Sequence, residues 1–227
     1  KSIEASPFGL AVEIPWELWR DELYGVMRDE VAELARAARH RQEIDAADVL
    51  NSGFLTTRVG FDGLALFNTA HPILKPTTGI TTQSNRPSPD IGLSVTGIQS
   101  AILRFETQVN EAGMPMRMKP SMIVIHPNNK FVAREVLGSS GRPYTADNEI
   151  NSLIAEDMSW MVSHYLTSQT AWFMLATKGN HDLNFYWRDR TMFDSFDDPR
   201  TKTAVFTVYQ RHVADFSSYR GTDGSNA

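Results

Sequence analysis

Apolar residues recur every three or four positions in two long stretches of the chain, which predicts two amphipathic helices. The first stripe consists of Leu23, Met27, Val31, Leu34 and Ala38. It predicts a helix from Trp16 to about Arg41, which starts behind Pro15 and bends near Gly25. A second helical piece with the sequence EIDAADVLNSGF is expected directly after it.

The second stripe predicts a helix that Ser94 caps and that ends near Gly113. Its members are Val95, Ile98, Ile102, Phe105 and Val109. A buried strand, SMIVI at positions 121–125, is expected next. A helix with the sequence KFVAREVLG should follow it and stop at Gly138.

The first fourteen residues and most of the second half have the patterns of extended chain. AWFMLAT (171–177) is predicted to be buried on both faces, and WMVSHYL (160–166) is another short apolar run. LNFYWRDR and TAVFTVYQRHVADF alternate apolar with polar residues, and an acidic turn, DSFDDPR, lies between them. The loop at 75–93 is predicted to be exposed and the tail GTDGSNA to be disordered. Helices followed by strands give an α+β fold class.

Composition limits the classes of function. The 227 residues allow a sizeable core, in one domain or in two joined lobes. The absence of cysteine excludes disulfides, thiolate nucleophiles and cysteine metal sites. A net charge of −5 with dispersed Lys and Arg argues against attraction of nucleic acid to the whole surface but leaves a local patch open. No apolar run approaches the roughly 18 residues that span a bilayer, so no membrane partner is expected.

No motif of catalysis or cofactor binding is found in the sequence. Phosphate-binding loops, dinucleotide-binding glycine motifs and nucleophile elbows are absent, so no catalytic, cofactor-binding or metal-ligating residue is assigned. The six histidines show no metal-binding spacing. His71 and His126 each precede a proline, a context that favours the end of a strand or the start of a loop.

Two groups of carboxylates have simple structural interpretations. The group formed by Asp194, Asp197 and Asp198 lacks the glycine and the terminal glutamate of a calcium loop, so a solvated turn is favoured. Glu43 and Asp45 could form an acid–base pair, but they are better interpreted as residues at the start of a helix.

The segment DGLALFNTAHP, at positions 62–72, combines a turn signal, a short apolar run and a His-Pro end. Two interpretations follow. His71 is either a catalytic or metal-binding histidine on a loop, or part of a structural clip in which its imidazole is hydrogen-bonded. Because the chain lacks a catalytic constellation, the clip is favoured, and with it a structural or binding protein.

Five stretches resemble, in their order and spacing, the major capsid proteins of tailed phages with the Hong Kong 97-type fold, in the branch of Mu-like head subunits. They cover nearly the whole chain. The stretches are ELWRDELYGVMRDEVAELARAARHRQE with DVLNSGF, then DGLALFNTAHP, MKPSMIVIHPNNKFVAREVLGS, NSLIAEDMSWMVSHYLTSQTAWFMLA and FTVYQRHVADF.

This resemblance implies a long spine helix and two lobes that interleave in sequence. Residues 16–89 and 196–216 would form the peripheral lobe with the spine helix, and residues 90–195 the axial lobe. Residues 1–15 would be the return strand of an extended loop, and residues 217–227 a C-terminal tail. The family also carries an N-terminal arm, which the roughly fourteen residues before Pro15 do not match.

The implied function is a container without enzymatic activity. Hexamers and pentamers of the chain would form an icosahedral shell around double-stranded DNA, which the inner face would contact without sequence specificity. Portal, scaffold and decoration proteins are further implied partners. The protein would reside in the virion, and in the host cytoplasm during assembly. A net negative charge would prevent the shell from binding the DNA tightly during packaging. A strongly basic inner surface would contradict this hypothesis.

Three alternatives remain open from the sequence. An encapsulin-type shell has the same fold but packages protein cargo. A tail or head-completion protein would form tubes or rings instead of shells. A metal-dependent hydrolase would bring His71, His126 and His164 together at about 2.0–2.1 Å from a common point.

Overall fold

A computed structural model describes residues 1–21, 25–75, 79, 81–143 and 149–227. Leu23 of the first stripe and positions 76–78 and 80 of the predicted loop lie outside the described residues. The helices are α1 (Trp16–Asp21), α2 (Val26–Asn51), α3 (Val95–Glu106) and α4 (Lys130–Gly138). The strands are β1 (Ser6–Pro15), β2 (His71–Pro72), β3 (Thr82–Gln83), β4 (Pro120–Ile125), β5 (Ser159–Val162), β6 (Trp172–Ala176), β7 (Leu183–Asp198), β8 (Thr203–Phe216) and β9 (Thr222–Ser225).

The chain divides into two compact units, each made from separate parts of the sequence. The first unit contains residue 1, residues 47–183 and residues 216–227, and the second contains residues 2–46 and 184–215. The mixture of helices and sheets agrees with the predicted α+β class. The peripheral and axial lobes remain predictions, because they are defined by their positions in a shell.

The second unit is a three-stranded sheet in the order β1-β8-β7. β1, the extended segment predicted at the start of the chain, pairs antiparallel with β8 along its whole length. Leu34 and Ala38 of α2 pack against Val208 of β8 in a small apolar core. Leu34 and Ala38 of the predicted stripe therefore face the sheet of this unit.

α2 is longer than the sequence predicted. Its helix was expected to end near Arg41, but it continues without a break to Asn51. Glu43 and Asp45 consequently lie inside the helix, so their interpretation as helix-start residues was wrong. Asp45 pairs with Arg41 one turn earlier, at 2.6 Å, a spacing that stabilises a continuous helix. The single helix predicted from Trp16, with a bend at Gly25, was wrong, because α1 ends at Asp21 and Gly25, with a φ of +76°, lies directly before the separate α2.

The first unit is built on a four-stranded sheet in the order β5-β4-β6-β9. All five residues of β6 are buried, as predicted for AWFMLAT. α3 and α4 contribute their apolar faces to a core that includes Ile98, Phe105, Ala133, Val136, Ile123 and Trp172. The second stripe and the strand–helix unit at 121–138 are thus confirmed as parts of one core.

The C-terminal tail is ordered, so its predicted disorder was wrong. β9 pairs antiparallel with β6, from Leu175 opposite Thr222 to Trp172 opposite Ser225. All four β9 residues are buried although none is a large apolar residue. Their burial depends on partners distant in sequence, which a local pattern does not reveal.

Three other boundaries also differ from the predictions. α3 is capped by Ser94 as expected, but it ends at Glu106 instead of near Gly113. The acidic segment predicted as a turn is mostly strand, because β7 extends to Asp198. The described part of the loop at 75–93 is not uniformly exposed, since Asn85 is completely buried. Among the described residues, no helix combines the length and apolarity that crossing a membrane requires.

Candidate functional site: a buried polar clip

His71 lies at the centre of a polar cluster inside the first unit. It is 0 % exposed to solvent. Its Nδ1 is 2.6 Å from Asp62 Oδ2, and its Nε2 is 3.0 Å from Asn85 Oδ1. Its ring stacks on Tyr219, with ring centroids 3.6 Å apart and planes inclined by 9°. The cluster thereby connects both ends of DGLALFNTAHP to the loop at 81–93 and to the C-terminal tail.

Asn85 is the junction of this cluster. Its Oδ1 accepts a hydrogen bond from the Asn68 backbone N–H at 2.9 Å. Its Nδ2 donates to the Leu66 carbonyl at 2.7 Å and to Thr222 Oγ1 at 3.3 Å. Its own carbonyl accepts from the Gly224 N–H at 3.0 Å. Three chain segments therefore depend on one buried amide, whose polar atoms are all paired.

Phe67, in the apolar run of the same segment, packs where the backbone approaches closely. A Cβ at Gly53 would lie 2.7 Å from its ring, and a Cβ at Gly224 would lie 2.8 Å away. Glycine is therefore required on both sides of the ring. The Phe67 backbone N–H also donates to the Gly53 carbonyl at 2.8 Å, directly after the end of α2. We call the assembly of Asp62, Phe67, His71, Asn85 and Tyr219 the His71 clip.

The His71 clip has the geometry of a structural element. Burial lowers the pKa of His71, while the hydrogen bond and charge of Asp62 and the hydrogen bond of Asn85 oppose that shift. Both ring nitrogens are within hydrogen-bonding distance of oxygens of the same unit. Burial likewise raises the pKa of Tyr219, so its hydroxyl stays protonated near neutral pH. The clip holds segments together, as predicted for DGLALFNTAHP, whereas Asn85 and Tyr219 were missed because nothing in their local sequence marks them.

The histidines that the hydrolase alternative requires have different surroundings. His126 accepts a hydrogen bond from the Asn128 N–H at 3.1 Å and caps a short helical turn. His164 is exposed, whereas His71 is completely buried. No group of three or more His, Asp or Glu side chains that could hold a metal ion occurs within the described ranges. Asp194, Asp197 and Asp198 likewise form no such group there.

A buried ion pair anchors the tail to α3. Asp223 is completely buried and accepts two hydrogen bonds from Arg104, at 2.9 and 3.0 Å. Burial raises the pKa of Asp223 to about 6, although the Arg104 guanidinium opposes the shift. The bidentate geometry favours the ionised pair at neutral pH.

We expect this carboxyl to make the unfolding free energy depend on pH. Because the folded pKa is about 6 and the unfolded value is 3.8, the folded chain binds a proton first as the pH falls. The contribution of Asp223 to stability should therefore increase by about 1 kcal/mol between pH 7 and pH 5. Urea unfolding of the wild-type chain and of Asp223→Asn at both pH values measures this as a change in their difference. An unchanged difference contradicts the assignment.

The sequence matches the family model described as phage capsid protein over residues 1–222. No curated protein matches the chain. The family is therefore identified by a match that covers both compact units and nearly the whole sequence.

Solved structures share the fold at low sequence identity. The capsid of the cyanophage P-SCSP1u has a TM-score of 0.56 and 12 % identity, covering 97 % of this chain and 72 % of that chain. The capsid of bacteriophage JBD30, decorated with minor capsid protein trimers, has a TM-score of 0.55 and 16 % identity. That match covers 73 % of this chain and 75 % of the JBD30 chain. The holo-SrpI encapsulin complex of Synechococcus elongatus PCC 7942 has a TM-score of 0.56 and 10 % identity. That match covers 98 % of this chain and 74 % of the encapsulin chain.

These structures confirm the predicted Hong Kong 97-like fold, while the branch within it and the bounds of the lobes stay predictions. The fold alone does not separate phage capsid proteins from encapsulins, because the encapsulin complex has a similar structure. The family match makes this distinction, since its model is that of phage capsid proteins. The chain belongs to the phage capsid protein family, whose members are the subunits of capsid shells.

Proposed function

We propose that this chain is the major subunit of a tailed-phage head, and that its hexamers and pentamers close an icosahedral shell around double-stranded DNA. The observation that carries the proposal is the family match over residues 1–222, which includes both compact units of the structure. The protein would act in the virion after assembly in the host cytoplasm. Portal, scaffold and decoration proteins would be its further partners.

The two units suit a subunit that must make nearly the same contacts in slightly different environments. A closed shell depends on many contacts repeated by symmetry, and each of them can be weak. Such a subunit needs rigid bodies that keep their shape. The His71 clip supports this by tying the end of α2, the loop at 81–93 and the C-terminal strand of the first unit together.

Sedimentation of the purified protein tests this function. The expected result is a population of particles far larger than the 25.5 kDa subunit. Small rings of subunits are expected beside them. Shells isolated from cells should protect double-stranded DNA from added nuclease. Tubes, or a chain that stays monomeric in cells that supply all phage proteins, would contradict the proposal.

An encapsulin-type shell is the second candidate, because the SrpI encapsulin complex has a TM-score of 0.56 with this chain. The phage capsid family match favours the head subunit over it. The content of the isolated shells separates the two. Protein cargo without nuclease-protected DNA would support the encapsulin alternative and contradict the phage head.

A further inference from the structure

The sheet of the second unit has one face that α2 does not cover. Thr191, Gln210 and His212 face α2, since Gln42 donates to Thr191 and Gln210, and His212 pairs with Asp45. Successive residues of a strand point to opposite faces, so the alternate positions lie on the open face. These positions include Tyr186, Arg188 and Arg190 of β7 and Tyr209 and Arg211 of β8, and further along β7 the same face continues to Asp194 and Phe196. We call the tyrosines and arginines among them the basic face.

The basic face exposes both its aromatic rings and its charges. Tyr186 and Tyr209 are 42 % and 38 % exposed. Arg188 and Arg190 are exposed, and neither forms an ion pair with another described residue. Arg211 has a weak partner in Asp189, at 3.6 Å. Arg188 and Arg190 thus place two exposed positive charges on one part of this sheet face, where Glu4 lines the same surface as Arg188 and Arg211.

The distal part of β7 has the opposite character. Residues 192–197, MFDSFD, are exposed on both sides of the strand, unlike the alternating positions before them. Met192, Phe193 and Phe196 are 54–57 % exposed. The carboxylates of Asp194 and Asp197 are exposed beside them and form no ion pair with a described residue. We call residues 192–197 the acidic finger.

The acidic finger and the basic face cannot satisfy each other within one chain. Both belong to β7, and their nearest opposite charges, Arg190 and Asp194, are four positions apart on the same strand. At about 3.3 Å per residue this corresponds to roughly 13 Å along a continuous strand, beyond the reach of an ion pair. The finger cannot fold back onto the face without breaking β7, so contact between these two surfaces requires a second copy of the chain.

We propose that the acidic finger of one subunit docks on the basic face of a second copy of this chain. The proposal rests on the proposed function, which requires contacts between copies. The charges are complementary, with Asp194 and Asp197 on one surface and Arg188 and Arg190 on the other. Tyr and Arg are also enriched at the centres of protein interfaces, where exposed apolar side chains such as Phe196 find cover.

The contact is heterologous, because two different surfaces meet. Such a contact repeats from subunit to subunit and closes a ring or continues through a lattice. Every subunit then offers one finger and one face, which is what a shell of identical chains requires. The opposite charges also fix the orientation of approach and disfavour contacts between two fingers or two faces.

Charge reversal in the full chain tests the docking. Arg188→Glu with Arg190→Glu should abolish shells, and so should Asp194→Arg with Asp197→Arg, because each change places like charges together. The chain that carries all four substitutions restores opposite charges at every contact and should form shells again. Particles are counted by electron microscopy, and circular dichroism checks that each variant is folded. Arg188→Lys with Arg190→Lys keeps the charge and serves as the matched control.

The outcomes separate this inference from the proposed function. Failure of the wild-type chain to form shells contradicts the proposed function. Normal shells from both reversed variants overturn the docking, and if those shells retain less DNA, the basic face binds phosphate instead. Loss of shells without recovery in the fourfold variant also overturns it.

A disulfide provides a second, direct measurement, because the natural chain has no cysteine. A chain that carries Phe196→Cys and Tyr209→Cys should form a ladder of covalently linked subunits when its shells are mildly oxidised. Each single substitution should give no ladder. Absence of linked subunits in well-formed shells of the double variant overturns the proposed contact.

Discussion

A chain that ends at Phe216 should fail to fold, although the part it lacks has the composition of a disordered tail. Deletion of residues 217–227 removes β9 from the edge of the four-stranded sheet. It exposes the edge of β6, all of whose side chains are buried. It also removes Tyr219 from His71 and Asp223 from Arg104, so both partners become buried or half-buried polar groups without their contacts.

The expected loss is comparable to the whole stability of the protein. Loss of a buried aromatic residue such as Tyr219 costs about 3–5 kcal/mol by itself, and a broken buried ion pair adds a similar amount. Native domains of this size are stable by only about 5–15 kcal/mol. We therefore expect aggregation, or a soluble chain without a cooperative thermal transition in calorimetry.

Deletion of only Asn226 and Ala227 is the matched control. Both residues are exposed and follow the last strand. This shorter deletion should leave a cooperative transition close to that of the wild-type chain. A chain truncated at Phe216 that also unfolded cooperatively at the wild-type temperature would show that β9 does not stabilise the first unit.

Asn85→Ala should lower the free energy of unfolding by about 3–5 kcal/mol, the largest effect that we expect from a single polar side chain. The change leaves the Leu66 carbonyl, the Asn68 N–H and the His71 ring without the amide that they contact. Each buried group left unpaired costs about 1–3 kcal/mol, and groups in one hydrogen-bonded cluster reinforce each other.

Chemical unfolding of the purified subunit measures this loss. Asn129→Ala provides the comparison, because it removes the same side chain from a half-buried position where it donates one solvent-accessible hydrogen bond to the Gln169 carbonyl at 3.0 Å. That variant should lose less than about 1 kcal/mol. A similar small loss for both variants would show that the His71 clip contributes little to the first unit.

The predictable part of the fold is the part that apolar periodicity specifies. The stripe from Val95 to Val109 predicted α3, although the helix ends at Glu106, and the continuous apolar run in AWFMLAT predicted a strand buried on both faces. α4 has the predicted bounds, Lys130–Gly138. In each of these elements the side chains that form the core are also the ones that make the local pattern.

The unpredicted part depends on polar side chains whose partners are far away in sequence. Asp223 is buried because Arg104, 119 positions earlier, pairs with it. Asn85 is buried because it bridges Leu66 and Thr222, 19 and 137 positions away. A Gly-, Ser- and Asp-rich tail therefore resembles disorder until its partners are known. The break expected after Arg41 had a similar origin, because polar residues masked a helix that continues to Asn51.

The His71 clip shows the same division within one segment. The sequence DGLALFNTAHP identified the element, since the turn and the His-Pro end are both local features. The identity of the partners was not predictable, because Tyr219 and Asn85 carry no local signal.

Cryo-electron microscopy of the assembled particles tests the central claim most directly. The account predicts closed icosahedral shells built from pentamers and hexamers of this chain, with double-stranded DNA inside the particles isolated from cells. The density should show β9 within the sheet of the first unit, and residues 192–197 of each subunit on a neighbouring copy. Particles without icosahedral order, or shells in which this chain is a minor component, would contradict the claim that it is the major subunit of a phage head.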